Sequence, residues 1–334
     1  MRGVEQGFDI LLCLMLLILT WRALTAPHLY QAAIFFIAFG LTMALAWVRL
    51  SAPDVALAEA AIGAGLLGVL LVDSLRVFIP KQSDESSDRD EAPFESEVRR
   101  PLGRLVVTLP VLASCLLLSC FMVMAIVKLP DGGGLTERVA EHLERSGVAH
   151  PVTAVLLNFR GYDTWLEVGV LLLAMVGLFC AGGWVGFNEM SAPPSPGPVL
   201  SWLIRGLVPL LILTAAYLLW LGKAFPGGAF QAGVVLGAAG IFLRLAGFSL
   251  LDPLPPLLVI LGLIFGFGVF LLFGIFAVLT GGAFLEYPEA WAGGWILVVE
   301  SAAALSIGFT VFAFYAFMNS RDQAGTGDEA QGKE

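Results

Sequence analysis

The chain has 334 residues, of which 58% are hydrophobic and 13% charged, with a formal charge of −9 and a mean hydropathy of +0.87. That balance excludes a single soluble domain, and the lack of a basic stripe argues against a nucleic-acid binder. The apolar residues come in blocks of bilayer-crossing length, so the expected fold is an all-α integral membrane protein.

Nine transmembrane helices are predicted, over residues 8–21, 29–48, 53–78, 105–127, 162–187, 200–221, 228–245, 257–279 and 291–317. The first is short and is preceded by Arg2 and Glu5, with no small-residue cleavage site after it, so it reads as a retained helix. The stretch 81–100 (KQSDESSDRDEAPFESEVRR) is too polar to fold alone. The stretch APPSPGP at 192–198 is too rich in proline to be helical. These breaks group the helices as 3 + 2 + 4. The expected modules are 1–80, a linker at 81–103, a two-helix module at 104–190, a linker at 191–199, a four-helix module at 200–320 and a polar tail at 321–334.

Counting Lys and Arg on alternate sides of nine spans gives eleven against seven. The positive-inside rule then places the C-terminus and the 81–103 linker in the cytoplasm. The loop 130–159 faces outward in this arrangement, and Val139 and Leu143, at i and i+4 among charges, predict a short helix over 136–146, interfacial or plainly solvated. Cys13, Cys115, Cys120 and Cys180 form no CxxC pair and are expected to be packed thiols. His28, His142 and His150 show no metal-ligand spacing and are expected at the surface or interface, so neither metal nor cofactor is anticipated.

Ionisable residues within the apolar blocks carry the functional signal, because a charge in lipid is costly. In SAPDVALAEAAIGAG, Ser51 and Asp54 have capping-box spacing and Pro53 suits a first helical turn, so Asp54 reads as a cap ahead of a transport role. Glu59 lies beyond that turn and has no such explanation. Asp73 follows Glu59 by fourteen residues, which in an uninterrupted α-helix places both on one face about 21 Å apart. Pairing of Asp73 with Arg76 is the competing reading. Ala60, Ala64 and Gly68 recur at a spacing that admits a close neighbouring helix. In NFRGYDTWLE, Asp163 is expected to cap the helix or pair with Arg160, while Glu167 sits about a turn and a half inside its apolar block. In LGKAFPGGAFQAG, the Pro-Gly-Gly turn predicts a helix break buried in protein, and Lys223 could snorkel or act as an electrostatic partner. Glu300 lies nine residues after Trp291, near mid-depth of the last span, and neither cap nor snorkel accounts for it.

Three of these motifs resemble a known family. The segment around Ser51, Pro53, Asp54 and Glu59 is similar to the C-terminal part of the A-type component of Mrp-type multisubunit Na+/H+ antiporters. The same module occurs as a small component of related membrane-bound hydrogenases. VTAVLLNFRGYDTWLEVGVLLLA resembles the DFRGFDTxGE signature that follows it, with Arg160, Gly161, Asp163, Thr164 and Glu167 kept. Asn158, Tyr162 and Leu166 depart from that signature. FPGGAFQAGVVLGAAGIFL resembles the GHxxPGGGFxGG signature of the Mrp B-type component, keeping Pro226, Gly227, Gly228 and Phe230. Here Lys223 replaces the His, while Ala229 and Ala232 replace glycines.

The resemblance runs over essentially the whole chain in matching order. It implies a non-enzymatic subunit in a prokaryotic cell membrane, coupling proton and monovalent-cation movement beside large antiporter-like subunits. Glu59, Glu167, Glu300 and Asp73 are the expected ion-path residues, with Lys223 nearby. A scaffold subunit, a redox-driven membrane arm and a self-sufficient transporter are the alternatives.

Overall fold

A computed structural model describes residues 2–66, 71, 101–129, 134–182, 197–248 and 255–331. Asp73 and the polar stretch 81–100 lie outside the described residues. The fold is all-α, and its chain divides into two compact units. One joins Met1–Ile79 to Arg138–Glu334, and the other is Pro80–Glu137.

The first unit begins with α1 (Arg2–Thr25), longer than its predicted apolar core, and α2 (Leu29–Arg49), which form an antiparallel hairpin. Arg49 grips Asp9 of α1 through two hydrogen bonds of 2.7 and 3.0 Å. Helix α3 (Pro53–Glu59) follows and passes into a π-helical stretch, Ala60–Leu66. The π turns interrupt the regular 100° step on which a shared face for Glu59 and Asp73 depended. Gly40 and Gly63 allow close approach of α2 to this segment: a Cβ added to Gly40 would lie 3.4 Å from Gly63 carbonyl carbon. Gly68 of the predicted small-residue stripe lies outside the described residues.

The second unit contributes α4 (Pro101–Val127), with Pro110 inside it. This helix starts at Pro101, so the last three residues assigned to the 81–103 linker belong to its first turn. A short helix, α5 (Thr136–His142), continues as a 3-10 turn over Leu143–Ser146, where a short helix was predicted.

The remaining helices are α6 (Gly161–Gly182), α7 (Pro198–Leu221), α8 (Ala229–Leu245), α9 (Pro256–Leu279) and α10 (Ala292–Gln331). Ahead of α6, a turn at Pro151–Thr153 leads into a second π stretch, Ala154–Phe159. Helix α7 likewise starts at Pro198, inside the predicted 191–199 linker, and α10 continues into the predicted polar tail. Among the described residues seven helices are long and apolar enough to cross a membrane, and α8 is a shorter apolar helix. Seven of the nine predicted spans correspond to these helices, the seventh predicted span is the shorter α8, and the third runs into residues outside the described ones.

Burial ranks the helices. In α10, 72% of the apolar stretch is buried, against at most 33% in the other six. It is the innermost helix, packed on α8, α9 and α6. Small residues set the α8–α10 distance: a Cβ on Gly233 would lie 2.7 Å from Ile307 Cβ, and one on Gly308 would lie 2.9 Å from Gly233 carbonyl oxygen. A Cβ on Gly237 would collide with the Val311 side chain. Ser306 ties α10 to α9 by donating to Leu263 carbonyl oxygen at 2.8 Å. The four cysteines are exposed on the chain, contrary to the expectation of packed thiols, because their apolar helices turn those faces outward.

Replacing Gly237 with Val forces overpacking worth about 1–3 kcal/mol at this contact. The expected result is a lower thermal midpoint of the detergent-solubilised protein, read by size-exclusion after heating; an unchanged midpoint would contradict the packing described.

Candidate functional site

The Pro-Gly-Gly turn organises the site. Chain direction reverses between α7 and α8 through residues 222–228, and Gly228 adopts φ +123°, a backbone state that favours glycine. A Cβ there would also lie 3.2 Å from Glu300 Oε1. Helix α8 therefore begins against α10, with its first N–H groups inside the protein. They have no earlier turn to bond to, so side chains must satisfy them.

Glu300 does so for one, accepting from the Ala229 N–H, and in the turn just before the helix Asp54 Oδ1 accepts from the Gly227 N–H at 3.3 Å. Asp54 Oδ2 meets His150 Nε2 at 2.9 Å, and Gln231 donates to the Asp54 carbonyl oxygen at 3.2 Å. The predicted capping box is not formed. Ala52 occupies the N-cap without a side-chain cap bond, and Ser51 lies in the left-handed region at φ +59°. Asp54 is spent instead on pinning α3 to the turn before α8. His150, expected at the surface or interface, is largely buried in that pair. Its segment is held by two further bonds, from the Ala149 and His150 N–H groups to Lys223 carbonyl oxygen at 2.8 and 3.0 Å. Thr153 adds a bond to Gly222 carbonyl oxygen at 2.6 Å.

A cavity of about 370 Å³ opens beside this junction. Asp54, Glu167 and Glu300 line it together with Gln231, Thr153 and Thr164. Glu300 is only 2% exposed, and its Oε2 atom is buried with no hydrogen-bond partner. Lys223 lies near enough for its charge to act on Glu300, while its ammonium sits 5.6 Å from the centre of the Trp220 ring. Apolar residues complete the cavity wall, among them Ile62 of the first π stretch and Ile307 of α10. The arrangement is an acidic chamber with one unsatisfied carboxylate oxygen, suited to holding and exchanging a proton or a small cation.

Of the sequence-selected residues, Glu167 and Glu300 come together here and Lys223 stands close by. Glu59 does not line the cavity. Its Oε1 atom lies over Gly63 and Gly40, 2.9 Å and 3.6 Å from where Cβ atoms would be, at the contact with α2. Arg160 pairs with Asp163 at 2.7 Å, and Thr164 donates to Leu156 carbonyl oxygen at 2.8 Å, closing the second π stretch against α6. Gly161 and Phe230 have structural positions, Gly161 packing near Leu285 and Phe230 lining the cavity. Sequence reasoning missed His150, Thr153 and Gln231. A lone histidine has no spacing to betray it, whereas Gln231 lay inside the third motif. Among the described residues, no group of three or more His, Cys, Asp or Glu side chains could hold a metal ion.

Residues 14–78 match the MbhD family model, a component of MBH. Residues 199–324 match the model described as a domain related to the MnhB subunit of Na+/H+ antiporter. A protein of Rhizobium meliloti (strain 1021) described as a probable K(+)/H(+) antiporter A/B subunit is 24% identical over 282 residues, covering 74% of this chain and 26% of that protein. The chain thus spans about a quarter of that relative's length. A chain in the structure of the Mrp complex from Dietzia sp. DQ12-45-1b superposes with a TM-score of 0.69 at 21% identity, covering 92% of this chain and 34% of that one. A chain of the membrane-bound sulfane sulfur reductase (MBS), an archaeal respiratory membrane complex, gives 0.53 at 24% identity, over 65% and 98%. At these identities the two superpositions show a shared fold.

The Asp54 junction makes a direct prediction. Asp54→Ala leaves the Gly227 N–H without its acceptor and should cost about 1–3 kcal/mol, seen as a lowered thermal midpoint. Ser51→Ala should change stability by less than about 0.5 kcal/mol, because Ser51 caps nothing. The reverse ranking would restore the capping box.

Proposed function

We propose that this chain, which belongs to the Mrp-type antiporter subunits as an A/B-like fusion, is a membrane subunit of a multisubunit cation/proton antiporter. Glu300, with Asp54 and Glu167 around the same cavity, forms part of its ion path. The observation that carries this reading is the buried Glu300 carboxyl, which has one oxygen unpaired and lines one cavity with Asp54 and Glu167. A carboxyl in that setting binds a proton or a cation in exchange, because each neutralises the same buried charge. Lys223 sets the local field and thereby the balance between the two occupants. Glu59 is a separate acidic station, on the α2 side of α3, and Asp73 is proposed to serve further along the same segment.

Glu167 supports the multisubunit reading. It lines the cavity yet is exposed on the chain, among exposed Leu166, Val170 and Leu173. A carboxylate on an apolar helix face is costly against lipid, so another subunit covers that face. The partners are large antiporter-like and small membrane subunits. The complex resides in the prokaryotic cell membrane, with the C-terminus and the 81–103 linker cytoplasmic. The match of residues 14–78 favours one second reading, the membrane arm of a redox-driven pump. The polypeptides that co-purify with the tagged chain decide between the two.

The purified complex, reconstituted into vesicles, supplies the test. Glu300→Gln should reduce cation-dependent proton movement about tenfold or more, since the carboxamide neither ionises nor binds a proton near neutral pH. Wild-type rates in that variant would overturn the assignment.

A further inference from the structure

The pair of His150 and Asp54 joins the chamber to the loop ahead of α6. His150 Nε2 and Asp54 Oδ2 are 2.9 Å apart, with 13% and 14% of the two side chains exposed. Asp54 lines the chamber together with Glu167 and Glu300, whereas His150 stands outside its lining. One carboxylate therefore connects the chamber with an imidazole beyond its wall. The bond that pins the turn before α8 uses the other oxygen, Oδ1, so the link through Oδ2 is a separate one.

The ring is placed by a segment that is fixed along its length. Gly147 takes φ +80° and packs on Gly293 of α10, where a Cβ on either glycine would collide with the other. Ser146 Oγ donates to Leu143 carbonyl oxygen at 2.6 Å, and Asn158 Nδ2 donates to Ser146 carbonyl oxygen at 3.0 Å. With the Ala149 and His150 N–H groups bonded to Lys223 carbonyl oxygen, the loop is tied to α10, the second π stretch and the turn before α8. Such anchoring presents the imidazole to Asp54 in one geometry. Of the charged groups at this junction, Asp54 of α3 touches the ring, and Lys223 of the turn meets the same residue through its carbonyl oxygen. Glu167 of α6 and Glu300 of α10 line the chamber that Asp54 enters, and Arg145, earlier in the segment, pairs with Glu289.

We propose that His150 is a proton-transfer residue that feeds the chamber through Asp54, a role that rests on the ion-path reading. Imidazole exchanges protons in the neutral range, and in its protonated form both ring nitrogens donate. In the transfer the N–H bond at Nε2 breaks and an O–H bond forms at Asp54 Oδ2, which cancels both charges at once. The proton then leaves Asp54 for the chamber, and the neutral ring takes a replacement from water at its exposed edge. One proton thus enters for each one released.

His150→Asn keeps an amide donor for Asp54 but carries no exchangeable charge. In the reconstituted complex, cation-dependent proton movement should fall about tenfold or more. The half-saturating cation concentration should stay within about twofold of wild type, because His150 is outside the chamber lining. His150→Ala should be slowed likewise, and imidazole added to the vesicle medium should restore much of its rate, whereas an equal concentration of a bulkier buffer should not. A wild-type rate in His150→Asn overturns the proposal, as does a loss in His150→Ala that imidazole leaves untouched, since a purely structural pair predicts either. A complex that assembles with neither variant marks the pair as a requirement of the fold and overturns the proposal equally. The two readings fail separately: an active Glu300→Gln variant removes the ion path itself. An inactive Glu300→Gln beside a wild-type rate in His150→Asn removes only the role of His150.

Discussion

A helix that begins inside a bundle must find acceptors for its first N–H groups, and lipid supplies none. Helix α8 begins in this way, directly after a Pro-Gly-Gly turn, and acidic side chains from two other helices meet it there. Asp54 arrives from α3 and Glu300 from α10. The positive end of the α8 dipole favours both charges. The acids are thus partners of the helix start and of the turn before it, and both residues also line the chamber.

The same constraint orders the packing. For Glu300 to reach the start of α8, α10 has to run in contact with it, and Gly233, Gly237 and Gly308 allow that approach. Once α10 is central, α6 and α9 close around it, and Tyr162 and Trp165 of α6 lean on Phe284, in the turn between α9 and α10. Local backbone chemistry at one turn therefore propagates into the order of the helices.

Much of this was legible from residue type and position. Apolar length located the helices, and Glu300 stood out because depth alone ruled out capping and snorkelling. Asp54 was misread for an instructive reason: Ser51, Pro53 and Asp54 satisfy every local rule for a helix start, and the competing acceptor role comes from a turn 173 residues away. His150 gave no signal, since its partner is likewise distant in sequence. Glu59 looked equivalent to Glu300 by depth, yet depth does not specify which neighbour a helix face meets. Nor does periodicity reveal where a helix loosens into π turns, as it does after Glu59 and before Arg160.

The segment that begins with α3 divides its two neighbours by face. Asp54, Val55, Ala58 and Ile62 line the chamber, while Glu59 and Gly63, each one residue further round, meet Gly40 on α2. A single short segment is thus a contact for the N-terminal hairpin on one side and a wall of the chamber on the other.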